Sequence, residues 1–283
     1  MLRKNLIFTC YSFKGGSGKT VLSTNLSYYL SQVLGGHTLL VDGDSPAPSL
    51  HKLFTPPVPS EKLQTFVDLV GQYPSVEEVD IEQLSYPTQY ENLDVVYAVN
   101  PQLGAGSLSR KAHSFWVNAL KVLFRCRDAW LKNYDYVVID NQSGVTMNSV
   151  NNITVSNIGF LMIRPVLYGV SGTEHMRGEV VQSVKHVTRN LWPRNDYLVW
   201  NQVPHDPEDM EMNTEVAEML EEWAQYFENL PQAISSVAKI HYSPQLACSM
   251  MKGHSSAFIG LSEQFQMVVA QLLDKVMEDF PST

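Results

Sequence analysis

The stretch Leu6-Ile7-Phe8-Thr9-Cys10-Tyr11-Ser12-Phe13-Lys14-Gly15-Gly16-Ser17-Gly18-Lys19-Thr20 decides the fold. A mainly apolar run enters a glycine-rich turn, and a helical pattern starts directly behind it. Strand, turn and helix N-terminus are the context in which such a turn binds phosphate. Gly15, Gly16 and Gly18 are able to take the positive φ values expected of the loop, and without Cβ atoms they let the backbone approach an anion. Exposed backbone N–H groups, the one of Ser17 among them, and the dipole of the following helix attract that anion. Lys19 is placed to reach the β- and γ-phosphates of a nucleotide, and the Thr20 hydroxyl to bind Mg2+.

Outward from the loop, strand and helix patterns alternate to the end of the 283 residues. Val21 to Leu34 has helical periodicity and stops at Gly35-Gly36; Thr38 to Asp42 is a short apolar strand. Helix is expected over Lys62 to Tyr73, Ser107 to Leu131, Ser171 to Leu191, Asn213 to Phe227 and Leu261 to Asp279. Strands are expected over Leu93 to Val99, Tyr134 to Asp140, Ile158 to Ile163 and Asp196 to Trp200. The three prolines of Thr55 to Ser60 mark a surface loop. Continuous apolar strands alternating with helices predict an α/β fold, a mostly parallel sheet with helices on both faces. No repeat or linker divides the chain, so residues 1–283 read as a single nucleotide-binding domain.

Composition agrees. A hydrophobic content of 44 % with 17 % charged residues is that of a globular protein. No apolar run is long enough to span a bilayer. Met1 to Asn5 leads straight into the first strand and is not expected to be a cleavable signal. Cys10, Cys126 and Cys248 are scattered and odd in number, which suggests reduced thiols in a cytoplasm, with Cys10 buried in its strand. Neither they nor the eight dispersed histidines have zinc-ligand spacing.

Parallel sheets bind ligands beyond the carboxyl ends of their strands. Two expected strands end there in aspartate, giving Asp42-Gly43-Asp44 and Asp140-Asn141-Gln142-Ser143-Gly144. A carboxylate at such an end, beside Thr20, can hold Mg2+ directly or through water, and Asp140 takes that role. A strand-terminal aspartate can equally cap a loop.

The pattern Lys14-Gly15-Gly16-Ser17-Gly18-Lys19-Thr20, with its additional early lysine, resembles the deviant Walker A loop of the ParA/MinD family of dimeric ATPases. The resemblance extends over nearly the whole chain. It implies ATP and Mg2+ as ligands, slow partner-stimulated hydrolysis, and a Lys14 that reaches the nucleotide of the other subunit in an ATP-dependent homodimer. Asp42-Gly43-Asp44 resembles the family's Asp-x-Asp element, which makes Asp44 the residue that positions or activates water and sets it with Thr20 and Asp140 among the Mg2+-binding residues. Tyr134 to Gly144 resembles the Walker B strand and switch loop. Val199-Trp200-Asn201-Gln202-Val203 resembles the strand end whose asparagine, here Asn201, reads the adenine ring, and Tyr242 to Ala247, with Gly253 beyond, loosely resembles the loop around the base. Ser45 stands where the family has proline, and Asn141-Gln142-Ser143 where it commonly has Thr-Pro-Pro. Both departures bear on hydrolysis more than on ATP binding.

The formal net charge of −9 opposes general attraction to nucleic acid or anionic lipid. Arg110, Lys111, Lys121, Arg125, Arg127 and Lys132 nevertheless gather six of the twenty basic residues in one helical stretch, readable as a DNA-binding face or as a solvated helix face. The end of the chain, with Lys275 against Glu263, Asp274, Glu278 and Asp279, is too acidic for a membrane-docking helix and is expected to pack on the sheet. The implied function is a switch that positions or partitions a cargo through DNA or protein partners. A small-molecule synthetase or kinase with the same loop is the alternative, disfavoured by Lys14.

Overall fold

The computed structural model describes residues 2–73, 80–100, 113–189, 191–230, 234–251 and 263–281. Eight strands form one sheet: β1 Leu6–Tyr11, β2 Thr38–Gly43, β3 Tyr86–Pro87, β4 Leu93–Val96, β5 Tyr136–Asn141, β6 Ile158–Ile163, β7 Asn195–Val203 and β8 Ser235–His241. Their order is β3-β4-β2-β5-β1-β6-β7-β8. All neighbours run parallel except β3, which pairs antiparallel with β4. β1, β2, β5 and β6 are buried at every position, as continuous apolar strands between two helical layers must be.

The helices are α1 Lys19–Tyr28, α2 Leu50–Leu53, α3 Phe66–Gly71, α4 Ile81–Leu84, α5 His113–Asn133, α6 Met147–Thr154, α7 Leu167–Met176, α8 Gln182–Thr188, α9 Met210–Asn229, α10 Pro244–Met251 and α11 Glu263–Asp279. On one face Leu22, Leu26 and Leu30 join Leu272, Leu273 and Val276 against Phe8, Val138 and Phe160. On the other, Val122, Leu123, Cys126 and Trp130 pack on Ile7, Val137 and Ile139, and Met176, Val180 and Val184 pack on Leu161 and Leu198. The acidic terminal helix does lie on the sheet, and Tyr197 donates to Asp279 at 2.6 Å. No described helix is long and apolar enough to cross a membrane.

Several boundaries move. α1 opens at Lys19, two residues earlier than the apolar pattern, and passes into a π-helical turn at Tyr29–Val33 before Gly35. The helix expected over 62–73 shrinks to Phe66–Gly71, where Thr65 and Asp68 close a capping box. The strand expected to reach Val99 ends at Val96. β7 runs to Val203, past the expected Trp200. β8 and α6 were absent from the pattern: β8 alternates too irregularly, and α6 is rich in asparagine, a poor helix former. Residues 107–112, the start of the helix expected over Ser107 to Leu131, and 261–262, the start of the one expected over Leu261 to Asp279, lie outside the described residues.

Candidate functional site

The loop between β1 and α1 lies at the carboxyl edge of the sheet's central strands. Gly16 and Gly18 take φ of 72° and 86°, which most side chains resist. Gly15 takes no positive φ, contrary to expectation. Gly18 is the N-cap of α1, so Lys19 and Thr20 occupy its first turn, where unpaired N–H groups concentrate partial positive charge. Ser17 is buried, and its hydroxyl has no hydrogen-bond partner.

β2 and β5 are neighbours in register, with Asp42 beside Asp140. Thr20 donates its hydroxyl to Asp140 Oδ2 at 2.7 Å, while Oδ1 is buried without a partner. The nearby Ser23 hydroxyl is donated to the Thr20 carbonyl at 3.3 Å instead. Burial pushes the Asp140 carboxyl up to about 6, against the Thr20 hydrogen bond and the Lys19 charge. A lone oxygen of a buried acid next to a threonine hydroxyl fits a hard divalent cation such as Mg2+, which takes one or two protein oxygens and draws the rest from water and phosphate.

Burial, reinforced by Asp140, raises Asp42 further, to about 8. Its oxygens accept from the backbone N–H groups of Asp44, Ser49 and Leu50, each at 3.2 Å. Asp42 therefore anchors the loop that carries Asp44. Asp44 is half-buried, accepts from the Ala47 N–H at 3.1 Å, and is raised by burial against that bond and the Lys19 charge. Burial lowers the Lys19 ammonium, while Asp140 and Asp44 hold it up. Its Nζ donates to Ser143 Oγ at 2.5 Å. Lys14 is exposed at the rim with Nζ 5.1 Å from the centre of the Phe13 ring.

Asn201 comes to the loop, but as a buried residue whose Nδ2 donates to the Ser17 carbonyl at 2.6 Å. Residues 242–247 span the junction of β8 and α10, where the Ser243 hydroxyl accepts from Leu246 N–H at 3.2 Å, and Gly253 lies outside the described residues. The sequence pattern did not single out Ser143, Gln202, Asn148 or Asn152. For Ser143 the departure from Thr-Pro-Pro was the available signal.

The basic stretch divides. Arg127 is buried, donates to the Val155 carbonyl and Asn157, and stacks on Trp192 at 4.0 Å, so it is no part of a DNA-binding face. Lys121 and Arg125 lie over Tyr73. Arg110 and Lys111 fall outside the described residues.

A parallel α/β sheet with a glycine-rich loop, its lysine and threonine, and a strand-end aspartate bonded to that threonine defines a phosphate-loop nucleotide-binding protein. The chain belongs to the AAA domain family, whose model matches residues 6–192, and its P-loop fold is MinD-like. It is 28 % identical over 183 residues to the sporulation initiation inhibitor protein Soj of Bacillus subtilis, a match covering 63 % of this chain and 66 % of that relative, just under two thirds of its length. Its fold is similar to that of a Cyanothece McdA variant in complex with ATP, with 17 % identity, 98 % and 97 % of the two chains covered and a TM-score of 0.72. It is also similar to the septum site-determining protein MinD of Pyrococcus horikoshii complexed with Mg-ADP, with 18 % identity, 96 % and 95 % covered and a TM-score of 0.63.

Proposed function

We propose that this protein is an ATP-binding and ATP-hydrolysing switch that dimerises with ATP and positions or partitions a cargo. The observation that carries the reading is the convergence of Lys19, Thr20, Asp140 and Asp44 at one sheet edge, with Asp140 Oδ1 left unpaired beside the Thr20 hydroxyl. The ATP bound by the McdA variant and the Mg-ADP bound by MinD support the choice of nucleotide and metal. Residues 1–283 act as one domain in this reading, because a single sheet runs from β1 to β8.

The backbone N–H groups of Gly15 to Lys19 bind the phosphates, and the Lys19 ammonium leaves Ser143 for the γ-phosphate. Thr20 and Asp140, with Asp44 nearby, would hold Mg2+, which when bound neutralises charge on the phosphates. Asp44, its carboxyl raised by burial, holds a water in line and accepts its proton. With Nδ2 engaged at Ser17, Asn201 keeps Oδ1 to accept from the adenine amino group. Lys14, exposed at the rim, completes the site of a second copy across a two-fold axis. An activating protein partner accelerates turnover that is slow without it, and DNA is a further candidate partner. Buried thiols at Cys10 and Cys126 accord with a cytoplasmic location.

The test is Asp44→Ala. It should retain MgATP, slow hydrolysis at least 100-fold, and accumulate as a dimer with ATP but not with ADP in size-exclusion chromatography with light scattering. Normal turnover would remove Asp44 from catalysis. ADP production that rises only with an added small metabolite would favour the synthetase.

A further inference from the structure

Two side-chain amides from the end of β7 hold the phosphate loop from behind. Asn201 Nδ2 donates to the Ser17 carbonyl at 2.6 Å, and Gln202 Nε2 to the Gly16 carbonyl at 3.0 Å. Neighbouring residues of a regular strand point to opposite faces, so two in succession would not reach the same loop. Here the strand is irregular: pairing with β8 shifts register between Asn201 and Val203, and Gln202 takes φ of 57°. That region is unfavourable for glutamine and persists only where the surroundings impose it.

Resting on the nucleotide-site reading above, we propose that Asn201 and Gln202 form a clamp that presets the anion-binding face of the phosphate loop. In a trans peptide the carbonyl and the following N–H point in opposite directions. Tying the Gly16 and Ser17 carbonyls to β7 therefore turns the N–H groups of Ser17 and Gly18 to the far side. An untied loop can flip these peptides and present carbonyl oxygens, which repel phosphate, and glycine backbone resists such flips least. Loop and clamp also fit each other sterically: a Cβ on Gly18 would lie 2.0 Å from Asn201 Nδ2. A loop held in its binding conformation loses less freedom when the anion arrives. Asn201 and Gln202 are then positioning residues for the polyphosphate, whatever Asn201 does for the base.

Inorganic tripolyphosphate has no base and separates the two roles. Its affinity and that of ATP, both with Mg2+, are measured by calorimetry for the wild type, Asn201→Ala, Gln202→Ala and Tyr197→Phe. The last variant removes the Asp279 hydrogen bond on the same strand and controls for loss of stability. Circular dichroism identifies the folded variants, and either clamp variant alone can carry the test. Each clamp variant should weaken tripolyphosphate about tenfold and ATP at least as much, with Tyr197→Phe unchanged. Unchanged tripolyphosphate affinity in the clamp variants overturns the clamp and, if ATP alone weakens, leaves Asn201 as a base contact. An equal loss in Tyr197→Phe, or a wild type that binds ATP but not tripolyphosphate, also overturns it. A wild type that binds neither ligand overturns the nucleotide-site reading itself.

Discussion

Asp140 divides its work between two oxygens. Oδ2 accepts the Thr20 hydroxyl and Oδ1 is buried with no hydrogen-bond partner. Because burial raises this carboxyl to about 6, a proton competes with the metal within reach of ordinary buffers. The sign is set by the raised value: the acid is ionised above it and neutral below it. Mg2+ affinity, measured by titration in the presence of ADP, should therefore be flat above about pH 7 and fall about tenfold per pH unit well below 6. An affinity unchanged down to pH 5 would place the metal elsewhere. Asp42, two residues before Asp44, makes a contrast. It is buried, and both of its oxygens accept backbone N–H groups, from Asp44, Ser49 and Leu50, so it holds a loop. Sequence spacing could not separate the two aspartates, since both sit at the end of an apolar run.

At the scale of elements, α6 connects the two acidic strand ends. Asn148 and Asn152 both donate to the Gly43 carbonyl, at 2.7 and 3.0 Å, directly before Asp44. Asn152 also donates to Asn141 Oδ1 at 2.9 Å, and Asn148 to Gln142 Oε1 at 3.2 Å, directly after Asp140. The helix is secured at both ends. Thr146 accepts from the Ser149 N–H at 3.1 Å, while Arg194 and Arg127 donate to the carbonyls of Ile153, Val155 and Ser156. Cations at a helix C-terminus are favourable, and these are buried. Asn152→Ala leaves each former partner one other hydrogen bond, so the expected cost is about 1–2 kcal/mol, or a few degrees in melting temperature. If α6 aligns Asp44 with the switch loop, turnover should fall more than tenfold while ATP affinity stays within about threefold. Equal turnover with a lowered melting temperature would make the amide network purely structural. The helix was not legible in advance because asparagine has low helix propensity; burial, end-capping and cross-bonding to β2 and β5 overcome it.

At the scale of the whole molecule, the switch reading turns on Lys14. It lies in the loop, exposed, with its ammonium 5.1 Å from the centre of the Phe13 ring. A self-complementary contact across a two-fold axis lets one lysine serve both sites, and the additional charge of ATP over ADP would favour the paired state. Lys14→Ala should bind MgATP as a monomer, fail to dimerise, and lose hydrolysis. Sedimentation of the variant as a dimer, like the wild type, would refute the switch and raise the small-molecule enzyme in its place.

Local chemistry determined the phosphate loop, the parallel sheet and the place of Asp140 at a strand end, because each depends on short-range rules. Glycine permits the turn, continuous apolar runs demand burial on both faces, and a strand-end acid faces the ligand edge. Only the tertiary structure decided what nonlocal packing controls. It gave Lys19 a resting partner in Ser143, made Arg127 a buried strut for a neighbouring helix, and bound Asn201 to the Ser17 carbonyl. It also bent β7 so that Gln202 reaches Gly16, 186 residues away in sequence. No periodicity records such contacts, because the distance between their partners is set by the order in which the strands assemble and not by spacing along the chain.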